Sequence, residues 1–290
     1  MNSRISKINS AGISAEGRAI RFLNPFAILL HLWPQRHLIM QLTRREVVSR
    51  YKGSFIGVGW SFIQPLLMLC VYTFVFSVVF KARWGVSSGE SRATFALTMF
   101  MGIITFNIIA EVVNDAPSLI LGNVNYVKKV VFPLEILPVV LFLNVLTNAL
   151  FSLTVLVTGV LLFNHFLHWT ILLLPVVWLP VSLCSMGCGY FLASFGVFVR
   201  DIKATVGIVT TMLFFMSPIF YPITAIPEQI RIFFQVNPIA IFVEDARRVV
   251  LWGQLPDWSW YFAGLGVSVA ILLFGFIWFV KTKKAFADVI

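Results

Sequence analysis

The sequence predicts an all-α polytopic membrane protein with six transmembrane helices. Three observations carry that reading. Hydrophobic residues make up 59% of the 290-residue chain and charged residues only 12%, about half the charged share of an ordinary soluble domain. The apolar residues gather into runs long enough, at about 20 residues each, to cross a bilayer. The 22 Lys and Arg, against 12 Asp and Glu, lie in the short segments between those runs, as membrane topology requires. Together these exclude a conventional cytosolic enzyme, a secreted disulfide scaffold, a disordered chain and a nucleic-acid binder.

Residues 1 to about 21 are polar and lack the apolar core and small-residue cleavage site of a secretory signal. The stretch FLNPFAILLHLW, Phe22 to Trp33, is stopped by Pro34 well short of a span. Gln35 to Ser54 is compatible with a helix but carries Arg36, Arg44, Arg45, Arg50 and Lys52 spread around it. That length and charge suit a helix lying at the cytoplasmic interface and forbid a span. Residues 1–56 are therefore assigned to a cytoplasmic N-terminal segment with an interface helix, 57–280 to one membrane domain and 281–290 to a cytoplasmic tail.

The predicted spans are Gly57 to Phe80, Thr94 to Val113, Leu134 to Phe163, Ile171 to Phe198, Ala204 to Phe220 and Ser259 to Val280. Asn114 to Pro133 is too polar, and too punctuated by Pro and Gly, to span; Pro117 and Pro133 would bound a short helix within it. With the N-terminus inside, the cytoplasmic segments hold sixteen Lys and Arg and the external ones six, so both termini are expected in the cytoplasm. Tyr221 to Trp258 is too long for a simple hairpin. It predicts two short re-entrant helices, Ile230 to Gln235 and Ile239 to Trp252, around the Asn237-Pro238 break, with Arg247 and Arg248 pairing with Glu244.

Cys70, Cys184 and Cys188 lie inside apolar runs without a CxxC pair and read as small hydrophobes. No G-x-x-x-x-G-K-[ST] loop is present, so the chain has no such cradle for a nucleotide. His165 and His168 are three apart but sit in a short link between spans. Apart from Glu135 at the very start of the third, the predicted spans hold one acid, Glu111, at the cytoplasmic end of the second, which argues against ion-coupled transport and against a metal-dependent membrane transferase. The chain reads as a conduit without its own energy source.

That reading meets a specific resemblance. RREVVSRYKGSFIGVGWSFIQPLLMLCVYTFVFSVVF, residues 44–80, resembles the opening of the polysaccharide-export branch of the type-2 ABC transporter permeases. NVNYVKKVVFPLEILPV, residues 123–139, resembles that family's cytoplasmic loop between spans two and three. SPIFYPITAIPEQIRIFFQVNPIAIFVEDARRVVLWGQLPDW, residues 217–258, resembles its external segment before the last span, and FVKTKKAFADVI its tail. The similarity covers nearly everything after residue 35. It implies a homodimer with two copies of a separate ATP-binding subunit, which would hold ATP and Mg. The cargo it implies is a lipid-linked polysaccharide, O-antigen first, with capsule, teichoic acid or a drug or lipid as alternatives. No cofactor is expected in this chain.

Candidate site residues follow. The resemblance makes Asn125, Tyr126, Lys128, Lys129 and Pro133 part of a coupling helix against the ATPase; otherwise they form a plain connector. Arg44, Arg45, Arg50 and Lys52 are positive-inside anchors, or recognise a lipid headgroup at the channel entrance, where Arg offers bidentate contacts to phosphate. Phe62, Tyr72, Phe76 and Phe80 fall within about 80° of arc on the first span, and with Thr211 and Phe214 of the fifth are read as channel lining, core packing being the alternative. Ile230, Phe234, Asn237, Pro238 and Arg247 are read as an external gate. Asn144 and Asn148 share a face suited to interhelical hydrogen bonds, and the small residues from Cys184 to Ala193 suit close helix packing.

Overall fold

The computed structural model describes residues 25–52, 54–75, 92–128, 132–223 and 226–290. The helices are α1 Pro25–Leu32, α2 Arg36–Tyr51, α3 Trp60–Tyr72, α4 Arg92–Leu119, α5 Val124–Val127, α6 Ile136–Asn164, α7 Leu174–Phe198, α8 Ile202–Met216, α9 Glu228–Gln235, α10 Pro238–Val250, α11 Trp258–Thr282 and α12 Phe286–Val289. No strand occurs among the described residues. The long helices alternate in direction, leaving α2, α5 and α12 at one end, called here the basic end, and α9 and α10 at the far end.

Among the described residues, four helical stretches are long and apolar enough to cross a membrane: Ala93–Leu119, Ile136–Asn164, Trp169–Phe198 and Trp258–Val289. The other two expected spans are shorter apolar helices, Trp60–Val75 and Ile202–Met216. Phe76 and Phe80 lie outside the described residues. The 15 residues of α8 cover about 22 Å at 1.5 Å each, short of the ~30 Å hydrocarbon layer. The sequence carried that helix on to Phe220; it stops at Met216 because Pro218 drives Ser217 into an extended conformation, φ −94° and ψ 146°. A second boundary also differs. The second span runs on as helix through Pro117 to Leu119, so the bounded helix expected between Pro117 and Pro133 shrinks to the single turn of α5.

α4 is the central helix, with Met99, Met101, Ile108, Val112 and Ala116 fully buried. The small-residue face of α7 lets it approach two partners closely, as the sequence implies. Ser185 Oγ donates to the Ile108 carbonyl at 2.9 Å, and Gly196 lies so near the Pro117 carbonyl that a Cβ would not fit. On its other side α7 crosses α11 where Gly187 meets Gly275, again with no room for a Cβ. At the basic end the tail is docked: Phe286 is fully buried against Phe279 and Phe198. Lys283 pairs with the buried Glu135, whose backbone carbonyl accepts from Tyr190 OH at 2.9 Å.

The far end is organised by one side chain. Arg247, read from the sequence as part of an external gate and paired with Glu244, is wholly buried. Its Nε donates to the Thr98 carbonyl at 2.9 Å, and its two terminal nitrogens donate to the Pro218 and Ile219 carbonyls, each at 2.8 Å. Glu244 lies 3.6 Å away as its ion-pair partner. Burial lowers the guanidinium to about 10, so it stays charged at neutral pH. Gly102 of α4 makes the room: a Cβ there would collide with the guanidinium. Asn237 ties the same unit together, its Oδ1 capping α10 at Ile239 N (3.0 Å) while its amide donates to Ser217 Oγ (3.2 Å). Asp245 closes the loop to α11 by accepting from the Asp257 N–H at 3.0 Å, and burial pushes its carboxyl up to about 6.

Two predictions follow from this unit. Arg247→Met strands three buried carbonyls and Glu244, and should cost about 3–5 kcal/mol in thermal unfolding of the detergent-solubilised protein. Gly102→Ala, which displaces the guanidinium, should reproduce that loss; a wild-type melting profile for either would show that the contacts carry little. For Asp245, the folded pKa exceeds the unfolded one, so ionising the carboxyl weakens the fold as pH rises from about 4 through 6. Asp245→Asn keeps the acceptor and should therefore melt higher than wild type at pH 7.5, with the gap closing toward pH 4. A pH-independent gap would exclude the ionisation as its cause.

Candidate functional site

α3, α4, α6 and α8, with Arg50 of α2, line an open cavity of about 240 Å³. Its shape is written on α4: from 95 to 110 every residue is buried except Asn107, which opens into it. The walls change character along the bundle axis. Toward the basic end stand Arg50, Ser61, Glu111 and Asn148; Gln64, Asn107 and Ser152 follow; Tyr72, Phe100 and Phe214 close the far end. Three helices thus each contribute a polar pair three or four residues apart: Ser61 and Gln64, Asn107 and Glu111, Asn148 and Ser152.

At the basic mouth Asn148 Nδ2 donates to Glu111 Oε2 at 3.3 Å, and Arg50 lies 4.0 Å from the same oxygen. The buried Ser61 Oγ has no hydrogen-bond partner among the described residues. At the far end the lining rings are backed by buried ones: Phe214 is 5.1 Å from Phe106 and 4.8 Å from Phe220, and Tyr72 is 6.2 Å from Phe220. The arrangement offers hydrogen bonds to hydroxyl-rich or anionic groups at one end and flat apolar faces at the other.

The aromatic stripe read on the first span does not stay together. Tyr72 faces the polar cavity, whereas Phe62 turns to Phe151, 5.0 Å away, in an apolar groove with Leu66, Leu162 and Phe163. The two residues mark opposite edges of the predicted arc, and that separation puts them on different sides of α3. Phe214 lines the cavity, while Thr211 is exposed and returns its hydroxyl to the Gly207 carbonyl at 2.9 Å. Asn144 does not pair with a neighbouring helix: its Oδ1 is buried without a partner, in a small pocket beside Arg45.

At the basic end Asn125 and Lys128 are exposed, Pro133 is half-buried and Lys129 lies outside the described residues. Tyr126 stacks on Phe132 at 4.2 Å and accepts from Arg45 at 3.0 Å, which joins α5 to α2. Arg44 and Lys52 are exposed. At the far end Ile230 is exposed, Phe234 half-buried, and Pro238 begins α10. Sequence reasoning missed the convergence of Ser61, Gln64, Asn107 and Ser152, although their spacing within each helix was available.

Residues 37–251 match the ABC-2 type transporter family. The O-antigen export system permease protein RfbA of Myxococcus xanthus is 27% identical over 263 residues, covering 90% of this chain and 98% of that protein. A protein of the same name from Klebsiella pneumoniae is 25% identical over 262 residues, covering 87% and 95%. The polysialic acid transport protein KpsM of Escherichia coli is 22% identical over 227 residues, covering 77% and 84%.

Proposed function

The chain belongs to the ABC-2 type transporter family, and we propose that it is the membrane subunit of an ATP-driven exporter of a lipid-linked polysaccharide, O-antigen in the first instance. The observation that carries this is the cavity whose wall passes from Arg, Glu and amide groups to aromatic rings, in a chain similar along most of its length to O-antigen export permeases. Amides and hydroxyls suit the polar edges of a sugar, and aromatic rings suit its apolar C–H faces. The similarity to a polysialic acid transport protein supports a capsular polysaccharide as the second reading.

In this proposal α3 and α8 complete a set of six spans in the inner membrane, with the basic end and both termini in the cytoplasm. Two copies of the chain face each other across a two-fold axis, because a linear polymer needs a wider path than one bundle encloses while remaining packed. Two separate ATPase subunits bind ATP and Mg and dock on the segment around α5, where Asn125 and Lys128 are exposed. Cysteines placed at either position should crosslink to that ATPase in the assembled complex. Reaction of both with an impermeant reagent added from outside intact cells would reverse the orientation.

The cavity wall is tested by Tyr72→Ala and Phe214→Ala in vesicles reconstituted with the ATPase. If these rings face cargo, ATP-driven export of lipid-linked polysaccharide falls while assembly and basal ATPase activity persist. If they are core, each truncation leaves a void costing roughly 3–5 kcal/mol, and the yield of assembled complex falls instead. A loss of export no larger than the loss of complex would remove these residues from the path.

A further inference from the structure

The mouth of the cavity is built around a loosely held ion pair. Arg50 touches Glu111 through one nitrogen at 4.0 Å, beyond hydrogen-bond reach and unlike the two short parallel contacts of a bidentate fork. Asn148 donates to the same carboxylate oxygen at 3.3 Å. Ser61, nine-tenths buried, lines the same space, and its Oγ has no hydrogen-bond partner among the described residues. Donors therefore outnumber acceptors here: a guanidinium, a hydroxyl and the amides of Gln64, Asn107 and Asn148 surround a single carboxylate. A group with several anionic oxygens fits that surplus, and it must take Arg50 from Glu111 to be bound.

We propose that Glu111 is a displaceable counter-anion: it holds Arg50 while the cavity is empty of cargo, and the diphosphate headgroup of a polyprenyl-linked saccharide displaces it. This rests on the export reading above. Glu111 then acts as a charge threshold. A headgroup with one negative charge exchanges for the carboxylate at no electrostatic gain and leaves the half-buried Glu111 without its cation. A diphosphate brings more charge and more acceptor oxygens, enough for Arg50, Ser61 and the amides together. Ordinary anionic phospholipids, present in large excess, are thereby refused at the mouth while the linked cargo is admitted.

The test uses the permease–ATPase complex in nanodiscs of zwitterionic lipid, without nucleotide. The probes are a polyprenyl pyrophosphate, phosphatidylglycerol and inorganic pyrophosphate. In wild type the polyprenyl pyrophosphate should bind and phosphatidylglycerol should not compete with it. Inorganic pyrophosphate competes if the headgroup alone suffices. Glu111→Gln, which keeps the size and an acceptor for Asn148, should tighten phosphatidylglycerol binding by about fivefold or more and erase much of the discrimination. Glu111→Asp, which keeps the charge but withdraws it from Arg50, should move the same way by less. Arg50→Gln should weaken the polyprenyl pyrophosphate, and adding Glu111→Gln to it should change nothing further. Unchanged discrimination in both Glu111 variants, with Arg50→Gln still weakening the probe, would overturn the counter-anion role and leave the export reading standing. A polyprenyl pyrophosphate that binds neither wild type nor any variant would overturn both.

Discussion

A helix that stops inside a low-dielectric bundle leaves carbonyls that no water can reach, and something must donate to them. In this protein the stop is at Ser217-Pro218, and the donor is Arg247. Its planar fork serves two carbonyls of the break and a third on α4 at once, which the single point of a lysine ammonium would not match. The fold-back of α9 and α10 depends on that arrangement, and the absence of a side chain at Gly102 makes room for it. A buried guanidinium is costly in itself; three carbonyls and Glu244 make it tolerable, and the result is a rigid corner rather than a mobile loop.

That corner also sets the outer wall of the cavity. Phe220 follows directly on the carbonyls that Arg247 holds, and it carries the contacts to Phe214 and Tyr72. The aromatic end of the cavity is thus fixed by an arginine distant in sequence. At the other end the cavity is set by loosely satisfied polar groups, Arg50, Glu111 and Ser61. One end is over-determined and the other under-determined, which suits the proposed passage, whose wall would stay fixed while its mouth responds to cargo.

Much of this was legible in the sequence. Apolar runs located the long helices because a span must satisfy its own backbone over a fixed thickness. The Asn237-Pro238 break located α9 and α10 to within a few residues, since Asn caps and Pro starts a helix with little help from tertiary contacts. The small face of α7 was readable for the same local reason. What could not be read was whatever depends on partners distant in sequence. Arg247 could be read as a gate residue with a glutamate three residues before it, but not as the donor to carbonyls of two other segments. Pro117 looked like a terminus because nothing local shows that Gly196 packs against its backbone. Phe62 and Tyr72 lie within one arc by helical geometry, yet the neighbours of α3 place a boundary between them.

The same distinction explains why the cavity was only half seen. Its aromatic residues are conspicuous on a wheel; its polar residues are dispersed as pairs on three helices, and each pair alone is an ordinary interhelical contact. Their meaning lies in convergence, and convergence here is organised by α2. Arg45 holds Tyr126 of α5, and Arg50, about 7.5 Å further along the same helix at 1.5 Å per residue, reaches Glu111 in the cavity. The surface proposed to meet the ATPase and the mouth proposed to admit cargo are therefore held by one short helix. While α2 stays helical, the positions of Arg45 and Arg50 cannot be set independently. A displacement of α5 that carries Arg45 with it alters the distance between Arg50 and Glu111, the weakest contact in the cavity wall.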